Sequence, residues 1–449
     1  MAVFLLIHYE LKKSDTMWVL LLISAEVNMK KSQFAVAITL LLVFAFILTS
    51  VLACTCPTPA QKWWIGYSIP LTGAAAEKGA PIGQGQLDAI EYINTELGGV
   101  GDIKIHPDWY DTNYDSAKAT ANVKKFMEDG CLFFTAVSSK EMSASKEIAN
   151  RAGFPGMVCF SAPSLTHPPQ HIYAQFPDYG DDWAAFSRYY LKNIWKGEGK
   201  PKMALELLSN PTGYGVRDAA RAAAAELGIE IVATEEHSAT TISETDALTR
   251  IKDKNPDILF ISSTPAPTAI ILKNARDLKM IPGLTVACAH ASFTKALIDF
   301  AGKDVCQGIY GVYPTVYWGD NVPGMAKMVE YCTKRHPEYI GNNDYMIGWA
   351  SSLINAEVIK QALKTSSIDA LQKGDAAAWQ LVEKNGFLTT RGYDVGGLCG
   401  PVDFSDPVDK RGSKSVKIYQ VKNGEMVALT TDWVNAPNIE YENLDWFGK

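Results

Sequence analysis

Local catalytic signatures are missing from this sequence. No Gly-x-Ser-x-Gly, His-Glu-x-x-His or phosphate-loop pattern occurs in it. Gly83-Gln84-Gly85 lacks the third glycine of a dinucleotide-binding turn and sits near an expected helix start. No enzyme activity and no cofactor are therefore expected, although a triad can still assemble from distant positions. The eight cysteines are Cys54, Cys56, Cys131, Cys159, Cys288, Cys306, Cys332 and Cys399, and no pair has zinc-ligand spacing. A net charge of −7 with no basic cluster argues against a nucleic-acid partner. No low-complexity segment or short repeat is present either. What remains, 47% apolar and 20% charged over 449 residues, describes a globular chain with core enough for two or three domains.

The N-terminal region points to export. Lys30-Lys31 precede an apolar stretch over residues 34–53, which ends Val51-Leu52-Ala53-Cys54. That is the charged, apolar, small-residue order of a signal segment. Val-Leu-Ala-Cys resembles the bacterial lipobox, which makes Cys54 the expected lipidated first residue. The alternative is an uncleaved membrane anchor, since the run is long enough to span. Residues 1–28 fit neither part, and a start at Met29 is expected. Export permits disulfides, and the cysteines beyond Cys54-Thr55-Cys56 leave many pairings open.

After this leader, strand and helix patterns alternate. Strands are expected over 63–69, 103–110, 132–137 and 157–160, with helices over 81–97, 115–128 and 141–151 between them. A second series places strands at 203–208, 229–233, 258–261 and 285–288. Its helices are expected at 181–195, 217–227, 246–254, 268–278 and 293–300. A strand at 309–312 leads into helices at 324–335 and 344–364. Single helices between strands imply parallel sheets covered on both faces. Near the end, Asn423-Gly424 favours a tight hairpin between 416–421 and 426–429.

The stretch over 132–145 carries the clearest chemistry. An apolar strand stops at Ser138-Ser139, where a helix is expected to begin. Unpaired backbone N–H groups, the positive dipole end and two hydroxyls together suit an anion. The plainer possibility is that a serine only caps the helix.

The order of motifs resembles the periplasmic leucine/isoleucine/valine-binding family, the type I solute-binding proteins of ATP-driven importers. Ile65-Gly66 leads to Ile69-Pro70-Leu71-Thr72-Gly73 and Gly79, then Ala89-Ile90-Glu91-Tyr92-Ile93-Asn94 with Gly98-Gly99. Tyr110-Asp111, Ser138-Ser139, Ser161-Ala162, Leu165-Thr166 and Gly213-Tyr214-Gly215 follow. The resemblance implies an α/β fold of two doubly wound Rossmann-like lobes joined by three crossing segments. It divides the chain into an export signal (29–53), a tether (54–62) and two lobes. The first lobe takes 63–178 with 316–390, the second 179–315 with 391–435, and 436–449 form a tail.

The function so implied is capture of a small carboxylate-containing solute in the cleft. The solute is then delivered to membrane permease subunits of an ABC importer of the branched-chain amino acid class. The protein is expected to be exported, lipid-anchored and monomeric. Ser138, Ser139, Ser161 and Ala162 are implied to hold the solute carboxylate, Tyr214 to pack on the solute, and Trp349 to do so or to fill the core. The family's ammonium-binding acid and tyrosine align with His290 and Thr264, and an aromatic residue of the first lobe with Lys78. The family's small disulfide would join positions 114 and 138, here Tyr114 and Ser138. Without that acid and with a lysine added, a buried ammonium group is disfavoured. An organic or aromatic acid lacking an α-amino group is therefore expected as ligand. Alternatives are a branched-chain or other amino acid, and a sensor that presents its solute to a receptor.

Overall fold

The structure is a computed structural model and describes residues 61–441. The export signal, Cys54, the proposed start at Met29 and the end of the tail lie outside the described residues.

Two sheets organise these residues. The first contains β1 (Lys62–Ile69), β2 (Lys104–Asp111), β3 (Phe133–Ala136), β4 (Gly156–Val158) and β5 (Ile172–Ala174). Its order is β2-β1-β3-β4-β5, all parallel. Strand β3 reads Phe-Phe-Thr-Ala and is buried at every position, as a parallel strand covered on both faces requires. The second sheet contains β6 (Lys202–Leu208), β7 (Glu230–His237), β8 (Ile258–Ser262), β9 (Thr285–Cys288), β10 (Tyr310–Tyr313), β11 (Ser415–Lys422), β12 (Glu425–Ala428) and β13 (Val434–Asn435). Its path is β12-β11-β10-β9-β8-β6-β7, with β13 paired to β11. The strands from β7 to β10 are parallel, and β11 and β12 close the sheet antiparallel. Asn423 and Gly424 both take positive φ, 55° and 85°, in the two-residue turn of that hairpin.

Two lobes result, joined by three crossings. Residues 175–178 run from β5 into the Tyr179–Asn193 helix beside the second sheet. Residues 314–324 return to the first lobe, and residues 390–414 cross back to β11. The crossings are stitched to one another: Ser413 N–H donates to the Gln175 carbonyl at 3.2 Å, and Val316 N–H to that of Leu398 at 3.0 Å.

Several helices start earlier than expected. Those expected from 141, 217 and 268 begin at Ser139, Pro211 and Pro265. Proline at the first helical position loses no intrahelical bond, and Asn210 caps its helix by accepting from Thr212 N–H at 2.8 Å. The helix expected from Pro81 begins at Ala76, with Pro81 inside it. Its Gly85 faces the Asn343–Ala362 helix so closely that a Cβ would lie 2.1 Å from the Tyr345 carbonyl oxygen. Gly348 repays the approach, its absent Cβ falling 1.9 Å from the Ile82 carbonyl oxygen. Strand β5 had no expectation at all. Cys131, Cys159, Cys288, Cys306, Cys332 and Cys399 are buried free thiols.

Candidate functional site between the lobes

The carboxyl ends of both sheets face one cavity. From the first lobe come Pro70, Ala75, Lys78, Gly79, Tyr114, Val137, Ser138, Ser139 and Phe160. Tyr179, Thr212, Thr264 and Ala291 line its other side. Three helices, Ser139–Ala152, Pro211–Leu227 and Pro265–Asp277, begin at this wall, at Ser138-Ser139, Thr212 and Thr264. The Ser138 side chain caps its helix through Glu141 N–H, whereas the Thr264 side chain caps nothing. Ser139 Oγ and Thr212 Oγ1 stand 3.4 Å apart across the cleft. Burial pushes the Tyr179 hydroxyl upward, opposed by hydrogen bonds with Thr212 and Ser139. Two of the three helix starts offer the cleft few N–H groups: Asn210 takes those of Thr212, Gly213 and Tyr214, and Pro265 and Pro267 have none. The positive helix ends and a ring of hydroxyls still suit an anion. The cavity holds about 30 Å³, space for roughly two waters, so a solute of amino-acid size enters only as the lobes part.

Lys78 and His290 flank it, each beside a carboxylate. Lys78 Nζ donates to Asp344 Oδ1 at 2.8 Å and to the His290 carbonyl at 3.4 Å, and lies 4.6 Å from the Phe160 ring centre. Burial pulls its ammonium below the ordinary lysine range, with Asp344 the chief opposing influence. His290 is fully buried, its Nδ1 2.6 Å from Asp182 Oδ2. Its ring stacks on Tyr179 at 4.8 Å and packs on Phe160 at 4.9 Å.

A Ser–His–Glu alignment does assemble from distant positions. His237 stands 2.7 Å from Ser263 Oγ and 3.0 Å from Glu206 Oε1. All three side chains are buried, and Ser263 N–H is taken by Ser292 Oγ at 3.2 Å. The alignment ties together the ends of β7 and β8 and the middle of β6.

A profile of the periplasmic binding protein family matches residues 62–425. The chain belongs to that family. Solved structures agree on the fold. A branched-chain amino acid ABC transporter protein from Thermus thermophilus with bound valine is 21% identical, with a TM-score of 0.71 over 84% of this chain and 98% of that one. A fatty acid ABC transporter substrate-binding protein from Thermomonospora curvata is 19% identical, with a TM-score of 0.70 over 83% and 92%. A leucine-binding protein from Thermotoga maritima is 17% identical, with a TM-score of 0.67 over 83% and 98%. No curated protein matches the chain.

Within this periplasmic binding protein, the expected site residues separate. Lys78, Ser138, Ser139 and Thr264 line the cavity. Ser161 does not: its hydroxyl donates to the Ala162 carbonyl at 3.3 Å, and its own carbonyl accepts from Tyr179 N–H. Ser161 and Ala162 thus brace the loop behind Tyr179. Tyr214 is half-buried with the Arg217 guanidinium 4.3 Å above its ring. Trp349 is 1% exposed, stacked on Tyr92 at 5.4 Å in the first-lobe core. Lys78 has its own acid in Asp344, as a buried ammonium requires, and His290 Nδ1 lies 2.6 Å from Asp182 Oδ2. The sequence pattern gave no notice of Tyr114, Phe160 or Tyr179. For Thr212 a signal existed, since Asn210-Pro211 reads as a cap followed by a first helical residue. Asp344 carried none, and Asp182 only its place near the first crossing. Among the described residues, no helix is long and apolar enough to cross a membrane.

Proposed function

We propose that this periplasmic binding protein captures a small carboxylate-bearing solute between its lobes and passes it to the permease subunits of an ABC importer. One observation carries the reading: three helix N-termini and their hydroxyls meet at a wall whose one charged side chain, among the described residues, is Lys78. A carboxylate there gains charge-assisted hydrogen bonds from the hydroxyls of Ser139 and Thr212. An α-ammonium group finds no acid among the described residues of that wall, which favours an organic acid, aromatic or branched, over an amino acid. The rings of Phe160 and Tyr179 offer it flat apolar surface. We further infer a lipid anchor at Cys54 and a monomeric, extracytoplasmic protein.

Amino-acid binding is the second reading, favoured by Asp182, whose buried Oδ1 has no hydrogen-bond partner among the described residues. A thermal-shift panel separates the two, because a bound solute raises stability with its occupancy. Branched and aryl acids should stabilise the protein, and their α-amino counterparts should do so less. Stabilisation by leucine, isoleucine or valine but not by the matched acids would reverse the choice.

A further inference from the structure

Lys78 enters the cleft from the helix Ala76–Thr95 and ends in a cage. Its ammonium meets a carboxylate oxygen of Asp344 at 2.8 Å and the carbonyl oxygen of His290 at 3.4 Å. Two ring faces complete the enclosure, Phe160 at 4.6 Å and Tyr313 at 5.8 Å from Nζ. A carboxylate, a carbonyl and aromatic faces are what a protein uses to hold an organic ammonium ion. Here the surroundings of a cation site are complete, and the cation inside is the chain's own. Both lobes build it: Phe160 follows β4 of the first sheet, while Tyr313 ends β10 and His290 follows β9 of the second.

We propose that Lys78 is a tethered occupant of an alkylammonium site, and that this occupation is what excludes ammonium-bearing solutes from the cleft. The inference rests on the carboxylate reading for its biological meaning, but the cage itself is independent of which acid binds. A solute ammonium would have to displace a cation already attached to the protein, or share Asp344 with it at close range, and like charges at that distance repel. Removing the lysine amine should vacate the cage and leave Asp344 buried without a counter-charge, a situation that an external cation relieves.

The test uses the full chain with Lys78→Ala, and ethylammonium chloride as probe against sodium chloride at equal ionic strength. Ethylammonium should raise the Tm of Lys78→Ala in a saturable manner and leave wild type unmoved. Adding Asp344→Asn to Lys78→Ala should abolish the response. A second variant, Lys78→Met, keeps the aliphatic stem and guards against a misfolded alanine variant. In it, the preference for an acid over its α-amino counterpart should fall about tenfold or more by calorimetry. A Lys78→Ala protein indifferent to ethylammonium, or an unchanged preference in Lys78→Met, would overturn the proposal. If no carboxylate stabilises wild type while ethylammonium still stabilises Lys78→Ala, the cage stands and the carboxylate reading falls.

Discussion

The Tyr313 hydroxyl donates to Asp344 Oδ1 at 2.6 Å, linking the last residue of β10 in one lobe to a helix of the other. Both side chains are buried, and burial together with the nearby carboxylate pushes the Tyr313 hydroxyl well above its ordinary range. A hydrogen bond to a charged group is worth about 1.5–3 kcal/mol, and this one exists only while the lobes are together. Tyr313→Phe should therefore shift the protein toward the open form. Small-angle scattering without solute should show a larger radius than wild type, with solute affinity lowered by about tenfold or more. An unchanged radius would mean that other contacts hold the lobes.

Ser139 is the hydroxyl best placed to meet a carboxylate, at the first turn of its helix and 3.4 Å from Thr212 Oγ1. Ser139→Ala should weaken solute binding by about 1.5–3 kcal/mol, the range for a hydrogen bond to a charged group. Calorimetry with a stabilising acid measures it. Wild-type affinity in the variant would mean that the serine does not hold the carboxylate.

Glu141 lies two residues further on, fully buried, and burial pushes its carboxyl from 4.5 up to about 7 against the opposing influence of Thr112 and Lys140. The folded chain thus holds a proton that the unfolded chain has released. Its contribution to stability is complete below pH 4.5 and is lost as pH rises through about 7. Each tenfold change in proton affinity is worth about 1.4 kcal/mol, so the loss is on the order of 3 kcal/mol. Urea unfolding of wild type and Glu141→Gln from about pH 5 to about pH 8 checks this. The wild-type curve should fall relative to the variant's across that window, and parallel curves would reject it.

Cys54 provides a prediction at the membrane. Wild type should take up labelled palmitate and Cys54→Ser should not, with the mature chain beginning at residue 54. Equal labelling of both would remove the anchor.

Trp349 separates packing from binding. Its ring fills the first-lobe core against Tyr92 and Tyr331. Trp349→Ala should lower stability by about 3–5 kcal/mol, as large core truncations do. Chemical denaturation reads that loss, and the ranking of solutes in a thermal-shift panel should stay as in wild type.

The lobes were legible in the sequence because parallel strands are written as short apolar runs between amphipathic helices, and 132–137 and 258–261 are clear instances. The helix expected over 115–128 is capped by Asp115, whose carboxylate accepts from Ala117 and Lys118 N–H. Helix starts were misjudged where proline or glycine leads, since Pro211, Pro265 and the glycines after Ala76 resemble loop residues until the packing partner is known. The site was half legible. Ser138 and Ser139 follow a strand end, a position that spacing reveals, while Thr264 came only from the resemblance. Lys78 and His290 were named from the resemblance, and Asp182 only as one of several acids near a crossing; Asp344, 266 residues from Lys78, meets it only through the fold. Trp349 shows the opposite failure: an aromatic on an apolar helix looks the same whether it faces a cleft or a core.

The mutual glycine approach of the helices Ala76–Thr95 and Asn343–Ala362 bears on how the cleft opens. Two backbones locked at that distance swing as one piece, and Lys78 rides on one while Asp344 rides on the other. The ion pair therefore travels intact with the first lobe. What parts on opening are neutral donors and acceptors of the second lobe, the Tyr313 hydroxyl and the His290 carbonyl. Water entering the gap meets a charge already neutralised, so the balance between open and shut should respond little to ionic strength even though an ammonium and a carboxylate sit at its centre.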